Sequence, residues 1–150
     1  MKYLLVFVAA LAVIPCGKVK LVRSVSQEWV GGLRESGYGT DFRVTLRAGA
    51  GSDKIAFEDL WVGEYHMKPI VQGDYRHPGS TAFSKGDTLM VRAGFTIHPD
   101  APEKERLRGA DFLPRPANFN SSGLLVYRIG SRRYYLKIKE FTSLEKIIYP

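Results

Sequence analysis

The sequence predicts an all-β fold: an antiparallel β-sandwich of about seven strands with immunoglobulin-like architecture. Three observations lead there. Apolar and polar side chains alternate with a period of two along several segments, as in half-buried strands. Turn-forming runs, such as Gly49-Ala50-Gly51-Ser52-Asp53, Gly73-Asp74, Pro78-Gly79 and Lys85-Gly86-Asp87, separate those segments regularly. The chain has one cysteine, so an intersheet disulfide is excluded and the likeness to that architecture concerns strands alone. A small β-barrel is the alternative way to close the same strands.

Each element has its own warrant. Val19 to Val30 opens the domain, with Val19 and Leu21 in phase and Trp29 near its end. The glycine-rich stretch Gly31 to Gly39 joins it to the next strand. It lacks the lysine and hydroxyl ending of a phosphate loop, and no helical pattern follows it. Asp41 to Ala48 places Phe42, Val44 and Leu46 on one face and Arg43, Thr45 and Arg47 on the other. Ile55 to Val62 carries Ile55, Phe57 and Trp61. Tyr65 to Gln72 is interrupted by Pro69, which suits a sheet edge. Thr88 to Thr96 turns Leu89, Val91, Ala93 and Phe95 inward. His98 to Ser122 is a long, proline-containing excursion in which Glu103 to Leu107 makes one helical turn. Gly123 to Ile129 and Arg133 to Phe141 form a hairpin around Gly130-Ser131. The tail from Ser143 adds a short helix or a last strand.

Residues 1–15 read as a signal peptide and residues 16–150 as a single β-sandwich domain. Lys2 precedes twelve apolar residues, Tyr3 to Ile14, and then Pro15 and Cys16. That is the layout of an export signal, and too short to span a bilayer, which takes about 20 apolar residues. The stretch Leu11-Ala12-Val13-Ile14-Pro15-Cys16 resembles the lipobox of bacterial lipoproteins, with Val13 at the position three before the cysteine. Pro15 departs from the small residue usual in that family. The resemblance implies lipidation at Cys16, which becomes the first mature residue. Gly17 follows it, where Asp would favour retention in the inner membrane. The location implied is the bacterial cell envelope, at the outer membrane and facing the periplasm. Loss of Lys2 lowers the formal charge from +7 by one, to +6.

Catalytic signatures are missing from the pattern. His66, His77 and His98 match no zinc spacing, so no metal site is expected. There is no Gly-x-Ser-x-Gly elbow. Glu58, Asp59 and Glu64 gather near Trp61, but alternation would place Glu58 and Asp59 on opposite faces. Aromatic residues are plentiful, with 8 Tyr, 8 Phe and 2 Trp, more than a small core demands. Tyr135 shares a face with Arg133, Lys137 and Lys139, a basic and aromatic stripe suited to an anionic surface. Trp29 and Trp61 complete the candidate binding surface.

The expectation is a membrane-anchored envelope lipoprotein whose β-domain binds or scaffolds and is not an enzyme. Its partners would be the membrane, through the lipid, and envelope proteins or glycans, with no nucleic acid and no cofactor. Two alternatives come from other classes. One is a carbohydrate-binding accessory module stacking sugars on Trp29 or Trp61. The other is an envelope-polymer hydrolase in which Glu58, Glu64, Asp74 or a histidine would converge.

Overall fold

Alternation along the chain builds two sheets that bury their apolar faces against each other. A computed structural model describes residues 17–72, 79–116 and 120–150. The signal segment, Cys16, the Gly73-Asp74 turn, Tyr75, His77, Pro78 and Phe119 lie outside the described residues.

The strands are β1 (Lys20–Val30), β2 (Tyr38–Arg47), β3 (Ile55–Val62), β4 (Tyr65–Met67), β5 (Ile70–Gln72), β6 (Thr88–Ile97), β7 (Leu107–Arg108), β8 (Gly123–Ile129), β9 (Arg132–Ile138), β10 (Thr142–Ser143) and β11 (Ile147–Ile148). The first sheet has the order β10-β1-β2-β6-β5, with β11 also on β1 and β7 on β6. The second has the order β4-β3-β8-β9. Leaving the short edge pieces aside, this is the two-sheet strand order of an immunoglobulin-like sandwich. Both sheets are open, so the barrel alternative is not adopted.

The core lies between the sheets. Val44, Leu46, Leu89 and Val91 face Leu60, Leu125 and Ile138, all at 2% exposure or less. β9 contributes the face expected of it, Tyr134, Leu136 and Ile138. The β8–β9 hairpin turns at Gly130-Ser131, with Gly130 at φ 59°. No other residue type takes a positive φ among the described residues, so the positive angle falls on the first turn residue alone, the requirement of a type II′ hairpin. The β3–β4 hairpin repeats this with Gly63 at φ 57°.

The structure divides one expected strand, sets the side of Trp61 and decides the form of the tail. Tyr65 to Gln72 is not one edge strand: it breaks at Lys68-Pro69, and its halves join different sheets. A proline has no N–H for a ladder, so the break is where pairing can change partner. Trp61 does not share the core face with Ile55 and Phe57. Register against β8 shifts between Phe57 and Asp59, which turns Leu60 inward and Trp61 outward. Of the two forms expected for the tail, the strand is found: β10 and β11 pair parallel to β1 and cover the edge of the first sheet.

Candidate functional site

The outer face of the second sheet gathers most of the chemistry-bearing side chains. The register shift in β3 is a β-bulge, in which one extra residue stands against the partner strand. With Phe57 and Leu60 both inward, Glu58 and Asp59 both project outward, correcting the opposite-face expectation. Each carboxylate side chain is 15% exposed, Glu58 held by two arginines and Asp59 by a lysine and a histidine. Glu58 accepts from Arg128 and, at 2.9 Å, from Nε of Arg133. Asp59 Oδ1 accepts from Lys68 Nζ at 2.5 Å and from His66 Nε2 at 2.8 Å.

The electrostatics follow from that pairing. Burial pushes the Asp59 carboxyl up, but hydrogen bonds from Lys68 and His66, with their charges, outweigh it and hold the group below its ordinary 3.8. The Arg133 guanidinium is raised above its usual range by its hydrogen bond to Glu58. Asp59 is therefore held towards its ionised form. Such a group can accept a hydrogen bond, but it is a poor source of the proton that an acid catalyst must deliver.

His66 is 4% exposed and packs against Trp61 in a tilted ring contact, centroids 4.5 Å apart. Its backbone bridges to Asp111 through two hydrogen bonds of 2.8 Å, which pins the long excursion against β4. Its Nδ1 lies 3.7 Å from Asp111 Oδ2, beyond hydrogen-bond reach. Nδ1 and the indole nitrogen of Trp61 are both buried without a hydrogen-bond partner.

The structure brings together some of the candidate binding residues and separates others. Arg133, Tyr135 and Lys137 of β9 share the outer face with Trp61 across β8, where Tyr135 opposes Val126 and Lys137 opposes Leu124. Lys139 follows the end of β9. Trp61 is 6% exposed, whereas Tyr135 is open to solvent at 49%. Trp29 is on the other sheet, lying over Gly39, and makes an edge contact with Tyr149 at 6.2 Å. Glu64 is exposed in the β3–β4 turn, apart from the paired carboxylates in their bulge. Among the described residues, no group of three or more His, Cys, Asp or Glu side chains is disposed to hold a metal ion.

A second surface was missed in the sequence. At the end of the sandwich where β1 finishes, Glu28, Tyr38, Tyr65, Phe95 and Ile97 line a cleft of about 450 Å³. Tyr65 stacks on Phe95 at 4.3 Å and touches Phe112 at 5.3 Å. Leu33, Tyr38, Phe112, Leu113, Ile148 and Tyr149 are all exposed around this end. Each is unremarkable in its own segment; only the topology puts them on one pole.

Compared with protein-family models, with curated proteins and with solved structures, the chain gives no match.

Proposed function

We propose that this protein is a lipid-anchored component of the bacterial cell envelope, and that its β-domain is a non-catalytic binding module held at the outer membrane and facing the periplasm. The observation that carries this reading is the polarity of the domain. Gly17 is buried against Ile129 and Ala50, and Val19 enters the core, so the chain leaves Cys16 directly into the folded body. β1 then runs its 11 residues away from that point, about 33 Å at strand rise. The exposed aromatic and aliphatic cluster is at its far end. A lipid on Cys16 would hold one pole at the bilayer and present the other to envelope proteins or glycans. Exposed apolar clusters of this kind are typical of interaction surfaces.

The state of the carboxylates supports a binding role over hydrolysis. Glu58 and Asp59 are engaged by Arg128, Arg133 and Lys68, with His66 as a further hydrogen-bond partner, as in a structural ionic network. Carbohydrate stacking on Trp61 is disfavoured by its burial against His66; a sugar would find Tyr38 or Tyr135 more open.

Intact-mass analysis of the protein extracted from a bacterial membrane tests the anchor. The expected species begins at Cys16 and carries added acyl mass, and Cys16→Ser removes that mass and releases the chain. A chain cleaved elsewhere and unacylated would refute the lipid-anchored reading.

A further inference from the structure

The pole that holds Gly17 is also the basic pole, and we infer that it docks flat on an anionic lipid surface. This inference deepens the anchored reading and rests on it for its biological setting. The residues come from four separate stretches that the fold gathers at one end. Lys18 and Lys20 leave the N-terminus beside Gly49, and Lys20 pairs in register with Arg47. Lys54 accepts the Gly130 N–H on its carbonyl, which places it next to Arg132 at the β8–β9 turn. Lys85 sits in the turn whose Gly86 binds the Ala48 carbonyl.

All six of these side chains are on exposed residues. Among the described residues, the carboxylates in the same turns are Asp53 and Asp87, and an Asp87 oxygen is occupied by the Ser84 N–H. Among the described residues, Lys20, Arg47, Lys54 and Arg132 form no ion pair.

The opposite pole is built differently. Glu35, Glu64, Asp100, Glu103, Glu105 and Asp111 lie in its loops. Its cations are largely committed: Arg34 to Asp100, Arg108 to Glu105, Arg106 to the Ala101 carbonyl and Arg115 to the Gly63 carbonyl. Among the described residues the molecule is thus polarised along its strands, with surplus positive charge around Gly17. An anionic bilayer attracts each nearby Lys or Arg, and the attraction decays within a Debye length. Since Gly17 is packed on the body, the tether and the basic pole would reach the headgroups together.

The test uses Cys16→Ser chain, which cannot form the thioether, with vesicles of phosphatidylglycerol and phosphatidylcholine or of phosphatidylcholine alone. Two double charge reversals are compared: Lys20→Glu with Lys54→Glu at the basic pole, and Lys104→Glu with Arg106→Glu at the far pole. Both change net charge equally. Binding is expected only to the anionic vesicles and to weaken with salt. The basic-pole reversal should lower it at least tenfold, and the far-pole reversal should leave it within about twofold. Equal loss in both variants would mean attraction by net charge without a docking face, and would overturn the inference. Failure of the parent chain to bind anionic vesicles would overturn it too. Because no acyl chain is involved, neither result depends on the intact-mass outcome at Cys16.

Discussion

Asp59 and Glu58 are neighbours in sequence on one sheet face, and each is paired there with two basic side chains. For Asp59 the consequence is a pH dependence with a defined sign. Its folded pKa is depressed below 3.8, so it contributes stability above that value, and the contribution disappears as pH falls through the lower, folded pKa. Asp59→Asn removes the charge acceptor for His66 and Lys68 and should cost about 2 kcal/mol at pH 7. Urea unfolding as a function of pH checks both points: the gap between parent and variant should be full at pH 6 and shrink below pH 4. A constant gap would mean that charge is not what Asp59 supplies. At Gly130 the demand is conformational. A side chain there must take φ near 59°, so Gly130→Val should destabilise the hairpin by about 1–2 kcal/mol, read from the urea midpoint.

Among elements, the tail has the clearest structural task. β1 would otherwise be a long sheet edge with unpaired backbone groups, and β10 and β11 cover it at Val25–Ser26 and Trp29–Val30. Ser24 Oγ reinforces the seam by donating to the Glu140 carbonyl at 2.7 Å. Open edges recruit other strands. Truncation after Phe141 is therefore expected to produce concentration-dependent self-association in sedimentation velocity, while the full chain sediments without that dependence on β1. Pairing in parallel with the first strand was outside the reach of sequence reading, because two-residue ladders leave no periodic signal. The β3 bulge did leave one: its core residues Ile55, Phe57 and Leu60 are spaced two and then three apart. Reading the strand as uniformly alternating splits the carboxylates between faces.

For the whole molecule, one core joins the two sheets, so neither should unfold alone. The two tryptophans allow this to be measured, since Trp29 belongs to the first sheet and Trp61 to the second. Single-tryptophan variants, Trp29→Phe and Trp61→Phe, should each show a fluorescence transition coincident with that variant's own circular dichroism in urea. Separate midpoints would indicate sheets that unfold independently. The same architecture imposes the polarity on which docking and recognition are proposed to depend, with the N-terminal glycine and cations at one pole and the open aromatic cleft at the other.

What the sequence by itself determined was the long strands β1, β2, β3, β6, β8 and β9 and the hairpin turn at Gly130-Ser131. Alternation and turn chemistry are local, and in β2 and β6 one face must be buried whatever the partner strand is. The paired outer carboxylates, the division of Tyr65 to Gln72 between sheets, the covered β1 edge and the two poles were decided only by tertiary structure. Each depends on which distant strands become neighbours, and a bulge of one residue is enough to reverse the face of every side chain after it.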